Sequence, residues 1–178
     1  MKPNRFIIVF LIFPLFLFSQ TETGPVINDF GEVYPVEQPD LLLTPGNQYK
    51  VIFDVHTNPG KQGQPNPLIN TVARFLNMHA RTGIDVKNLD VVLVLHGEAT
   101  SASLSPEAYS THFKTNNPDY ELLKSLQSAG VKIFVCGQSF VRRGYKQHER
   151  SQYVKMALSA LTALVRYQTE GYSLITFN

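Results

Sequence analysis

One thiol and two imidazoles each follow a short strand-like run in this chain. His56 comes after YKVIFDV (Tyr49–Val55) and His96-Gly97 after LDVVLVL (Leu89–Leu95). Cys136-Gly137-Gln138-Ser139 comes after VKIFV (Val131–Val135). Cys136 is the only cysteine, so no disulfide can form within the chain. A thiol that ends a strand and opens a helix faces unpaired N–H groups and the positive end of the helix dipole. Both favour the thiolate, the reactive form of sulfur. Gly137 permits the turn, and a short helix is expected to begin near Gln138 or Ser139. On this reading the sulfur is reachable by solvent and anionic. The competing reading of Cys136 is a small buried hydrophobe at a strand end. Arg142, Arg143, Lys146, His148 and Arg150 follow, with Glu149 the only acid among them. Most of that run reads as a solvated loop, with some positive potential left near the sulfur. His96 either satisfies backbone groups at its strand end or orients and protonates a reactant. His56 sits in a Pro/Gly-rich turn, and His79 and His112 receive no function.

These groups share an edge only if their strands belong to one sheet. Tyr49–Val55 is β-rich and mixed. Leu89–Leu95 and Val131–Val135 are short apolar runs with one polar interruption each, as strands covered on both faces should be, and SLITF (Ser173–Phe177) is a fourth strand. Helix signals lie between them. Asn66-Pro67, Ser105-Pro106 and Asn117-Pro118 pair a capping residue with a Pro suited to a first turn, and Gly83 and Gly130 can end the first and last of these helices. Ile69, Val72, Ala73 and Leu76 share one helical face; Leu122, Leu123 and Leu126 form another. A final helix is expected over about Gln152–Thr169. Its polar stripe is Lys155, Ser159, Thr162, Arg166 and Thr169, and Val154, Ala157, Leu158, Leu161, Leu164 and Val165 lie opposite. Such a wide apolar face calls for cover on two sides, by the sheet and by either a neighbouring helix or a second subunit. Alternating strands and helices predict a three-layer α/β/α sandwich on a mostly parallel sheet of four to five strands, flavodoxin-like in outline. Ligands gather beyond the carboxyl ends of such strands. With strands two and three adjacent, His96 and Cys136 nearly touch. With strand one between them, they are roughly 10 Å apart, two strand spacings.

The N-terminal residues have a different character. Lys2 and Arg5 precede an apolar run from Phe6 to Phe18, closed by Ser19, Gln20 and Thr21. The run is shorter than the roughly 20 residues of a membrane span. It reads as a cleavable export signal over residues 1–19, with an uncleaved anchor as the alternative. No cysteine lies near the cut, which excludes lipid attachment there. Residues 20–48, rich in Pro and Gly, form an irregular lead-in whose only possible strand is Val33–Val36. The domain proper spans residues 49–178. The whole chain carries 16 Lys and Arg against 14 Asp and Glu. Loss of Lys2 and Arg5 with the signal leaves 14 against 14, without the clustered positive charge of a nucleic-acid binder.

Several segments together resemble the DsrE/DsrF-like family, in its exported single-domain branch. They are YKVIFDV (49–55), NPLINTVARFLNMHA (66–80), VVLVLHGEAT (91–100), NNPDYELLKSLQSAGVKIFVCGQS (116–139) and MALSALTALVRYQTEGYSLITF (156–177). The H-G after the second strand and V-C-G-Q after the third are the sharpest marks. The resemblance implies an α/β/α sandwich, assembly into small oligomers, and a role in sulfur handling with Cys136 carrying sulfane sulfur as a persulfide. It gives His96 and Gly97 a pocket position, and nothing to His56.

The expectation is therefore an exported, periplasmic sulfur relay component in which Cys136 and His96 do the chemistry. Gly97, Gly137, Gln138 and Ser139 would line the anion pocket. Its partners would be a sulfur donor, acceptor thiols and further copies of itself, with no nucleic acid, no cofactor and no membrane once the signal is removed. Two other readings stay open. One is a non-covalent anion or metabolite binder at the strand ends. The other is a metal site from Cys136, His96 and His56, ligand types that suit zinc or copper.

Overall fold

The computed structural model describes residues 21–177; the expected export signal lies outside them. Five parallel strands form one sheet in the order β4-β3-β2-β1-β5: β1 Tyr49–Val55, β2 Leu89–Leu95, β3 Lys132–Cys136, β4 Lys155–Ala157 and β5 Ser173–Thr176. Between them run α1 Pro67–Arg81, α2 Pro106–Phe113, α3 Tyr120–Ser128, α4 Gly137–Arg142 and α5 Ala160–Thr169. From β1 to β4 the chain steps across the sheet in one direction, so right-handed crossovers put α1 and α3 on one face. The step from β4 back to β5 reverses direction and puts α5 on the other. The core divides accordingly. A large cluster holds Ile69, Val72 and Leu76 of α1, Leu122, Leu123 and Leu126 of α3, and Phe140 of α4. A smaller one sets Ile52, Val92, Val94 and Cys136 against Ala160, Ala163 and Tyr167 of α5.

Local chemistry accounts for the boundaries. Asn66 caps α1 by accepting from the Leu68 amide at 3.0 Å, and Ser105 caps α2 through the Ala108 amide. Asn117, expected to open α3, instead braces the loop before it, donating to the Ala102 and Leu104 carbonyls. Asp119 is the cap residue of α3.

The last helix departs from expectation. Lys155–Ala157 is the edge strand β4, paired with β3, and Ser159 caps α5 through the Thr162 amide. Ser159 fitted a helical polar stripe equally well, and three residues of strand are too few to show a period of two. The buried face is also different. Ala160, Ala163 and Tyr167 meet the sheet, where small side chains let the helix lie close. Leu158, Leu161 and Val165 point outward, 72%, 74% and 65% exposed. No neighbouring helix among the described residues covers them.

The lead-in wraps α1, and only Val33 of the expected strand pairs, in a single bridge to Glu22. Its anchor is Asn77, fully buried on α1. The Asn77 Oδ1 accepts from the Val26 and Ile27 amides, and its Nδ2 donates to the Ile27 and Phe30 carbonyls. A buried amide satisfied this completely is worth more than an apolar replacement of equal volume.

Candidate functional site

The parallel register places the three chemical side chains. Leu95 of β2 pairs with Val135 of β3, so one step further sets His96 beside Cys136. Strands two and three are neighbours, and the close arrangement is the one found. Side chains alternate along a strand. Cys136, His96 and Asp54 therefore share the face of the sheet that α5 covers, two residues beyond Phe134, Val94 and Ile52.

Cys136 is the cap residue of α4, and its sulfur accepts from the Ser139 amide at 3.4 Å. Two helix starts converge on it. Burial pushes the Cys136 thiol up, but hydrogen bonds from the Ser139 hydroxyl and amide and from the Ala160 and Gln138 amides outweigh this and hold it below the ordinary range. Ala160 is the first residue of α5, so the cradle draws on a second element beyond the expected short helix. The expectation of a solvent-reachable sulfur needs correction, since the residue is only 5% exposed. The turn from β4 into α5 lies over it. Gly137 shows how close that turn comes: a Cβ there would stand 2.8 Å from the Ala157 carbonyl oxygen.

His96 is half-buried, and its Nε2 lies 2.8 Å from Asp54 Oδ1. The hydrogen bond His96 donates to Asp54 raises the His96 pKa; burial opposes it, and the charges of Asp54 and Cys136 add to the rise. Asp54 escaped the sequence reading because it looked like the polar interruption of an otherwise apolar strand. Its even spacing from Ile52 was the available signal. Gly97 follows at φ +52, where a Cβ would meet the His56 carbonyl oxygen at 2.5 Å. That close approach lets the Glu98 amide donate to His56 at 2.8 Å. His56 itself is exposed, its ring centroid 5.6 Å from that of His96.

Two clefts flank α4. One of about 290 Å³ is lined by Gly97, Ser139, Arg142 and Arg143. Arg143 is fixed there by its Nε donating to the Gly97 carbonyl at 2.9 Å. The other, about 400 Å³, is lined by Gly137, Gln138, Val141, Gln147, Met156, Ala157 and Leu158. The remaining basic residues of this stretch, Lys146 and His148, are exposed, and Arg150 is half-buried. Among the described residues, no group of three or more His, Cys, Asp or Glu side chains is placed to hold a metal ion. No helix among them is long and apolar enough to cross a membrane.

Comparison with known proteins adds the lineage. No curated protein matches the chain. Among solved structures, it is similar to MTH1491 of Methanobacterium thermoautotrophicum, titled a protein of unknown function, at 17% identity and a TM-score of 0.55. It is also similar to the ychN protein of E. coli, at 20% identity and a TM-score of 0.52. Each likeness covers 73% of this chain and 100% of the other, and at such identities it establishes the shared fold. The family model described as DsrE/DsrF-like matches residues 50–177, all five strands and five helices apart from the first residue of β1. The chain belongs to the DsrE/DsrF-like family.

Proposed function

We propose that the protein is an exported sulfur carrier in which Cys136 takes a sulfane sulfur from a donor, holds it as a persulfide and passes it to an acceptor thiol. The observation that carries this reading is the place of Cys136 at the start of α4, where its sulfur accepts from the Ser139 amide at 3.4 Å, while the Gln138 and Ala160 amides further lower its pKa and favour an anion on sulfur. A merely packed cysteine needs no such donors. A bound persulfide is itself an anion and gains from the same groups. Arg142 and Arg143 in the adjoining cleft suit a negatively charged donor. The 5% exposure suits a carrier that shields its cargo from bulk solvent and meets partners at a surface.

That surface is the ridge of Val141, Leu158, Leu161 and Val165 beside the second cleft, each at least 65% exposed. Apolar rows this open mark interaction sites, and a second copy of the chain is the occupant we assign. Export rests on Lys2, Arg5 and the apolar run that follows.

Incubation with a sulfane-sulfur donor tests the reading. The intact wild-type protein should gain the mass of one sulfur atom, removable by a thiol, and Cys136→Ser should gain none. No gain on wild type, or equal gain on the variant, contradicts it.

A further inference from the structure

Asp54 belongs to an inner strand, where a carboxylate loses water and needs a partner. Its partner is His96, at 2.8 Å on the diagonal between β1 and β2. A carboxylate only accepts, so Nε2 is the nitrogen that carries the proton. The neutral imidazole then has its lone pair on Nδ1. The register of β2 and β3 sets His96 beside Cys136. The His56 ring stands 5.6 Å from this ring, and the neighbouring elements also carry Glu98, which meets the Asn58 amide, Arg142 and Arg143 on α4, and Lys155 on β4. The start of α5 brings none.

We propose that Asp54 is a positioning residue, which holds His96 so that Nδ1 takes and returns the proton of sulfur transfer at Cys136. This rests on the reading of Cys136 as a sulfur carrier. The Cys136 S–H gives its proton to Nδ1, and the sulfur anion attacks the terminal sulfur of a donor persulfide, R–S–SH. A bond forms between Cys136 Sγ and that sulfur. The donor's S–S bond breaks, its electron pair leaves on R–S⁻, and the imidazolium returns the proton to give R–SH. Cys136–SH and R–S–SH thus become Cys136–S–SH and R–SH, with no oxidant or reductant consumed. The logic is that of a nucleophile, a base and a carboxylate that orients the base. The hydrogen bond to Asp54 also keeps the imidazolium available nearer neutral pH.

Nitrogen NMR of the His96 ring, with transfer rates from a small alkyl persulfide, tests the role. Wild type should show a bare Nδ1 in the neutral ring and a protonation midpoint above 6.5. Asp54→Asn should lower that midpoint and slow loading of Cys136 at pH 7 by about 10-fold or more. Loss of a nearby negative charge would by itself favour the thiolate, so slower loading must act through His96. The double variant with His96→Gln should be no slower than His96→Gln alone. An unchanged midpoint, or losses that multiply in the double variant, overturns the role of Asp54 while wild-type loading still stands. A wild type that takes up no sulfur overturns the carrier reading and this role with it, even where the His96 titration responds to Asp54→Asn.

Discussion

The Cys136 sulfur and the Ala160 amide come from different elements, yet the second helps to hold the first below the ordinary thiol range. Cys136 ends β3 and caps α4, while Ala160 opens α5 after the short edge strand β4. The sulfur thus lies between two helix starts, and its electrostatics depend on how closely the β4–α5 turn is held against Gly137. That dependence makes the anion sensitive to side chains on either element.

The Ser139 amide donates to the sulfur at 3.4 Å, and the Ser139 hydroxyl adds to the lowering of the Cys136 pKa. Ser139→Ala keeps the amide and removes the hydroxyl. A hydrogen bond to a charged group contributes about 1.5 kcal/mol, which corresponds to about 1 pH unit. The Cys136 thiolate should therefore appear about 1 unit higher in pH in the variant, as followed by thiolate absorbance. No movement would remove Ser139 from the site.

Gly137→Ala places a methyl group 2.8 Å from the Ala157 carbonyl oxygen, which must retreat. The turn carries the Ala160 amide with it. Thermal unfolding should show a loss of about 1–3 kcal/mol, as for other overpacked sites. Alkylation of Cys136 should become slower at pH 7, as the anion loses a donor. Unchanged stability would mean that the turn is not held there.

Asp119 is 2% exposed, and burial raises its pKa to about 6 against the partial compensation of the Asn66 amide at 2.6 Å. The folded state therefore binds this proton more tightly than the unfolded chain. The stability it contributes is complete below pH 3.8 and is lost as pH rises through about 6. Asp119→Asn keeps an acceptor for Asn66 without the charge. It should be more stable than wild type at pH 7.5 by up to about 3 kcal/mol, an advantage that fades by pH 4. Denaturant melts at the two pH values check this, and a variant less stable at pH 7.5 contradicts it.

Leu161 is 74% exposed, so Leu161→Glu should leave the fold intact. If a second copy covers the α5 ridge, wild type should run as an oligomer in size-exclusion chromatography with light scattering, and the variant as a monomer of equal thermal stability. A monomeric wild type would leave the ridge to another partner.

Much of this architecture was legible in the chain itself. The capping pairs Asn66-Pro67 and Ser105-Pro106 and the leucines of α3 marked their helices, because local hydrogen-bonding and burial on one face leave a pattern within a few residues. The strand-end placement of His96 and Cys136 was legible for the same reason. The start of α5 was not, because a three-residue edge strand carries no period and Ser159 suits both a cap and a polar stripe. That error concealed the Ala160 amide and turned the exposed Leu161 inward. Asp54 and Asn77 were hidden for another reason: each looks like an interruption of an apolar pattern, and only the register of β1 with β2, or the path of the lead-in, supplies its partner.

The pH dependence of Cys136 alkylation in the wild-type protein tests the central claim most directly. A thiol cradled by the Ser139, Gln138 and Ala160 amides should react with a midpoint well below the free-thiol value of about 8.5. A midpoint at or above about 8.5 would mean that burial prevails, leaving Cys136 a packing residue and the sulfur-carrier account without its chemistry.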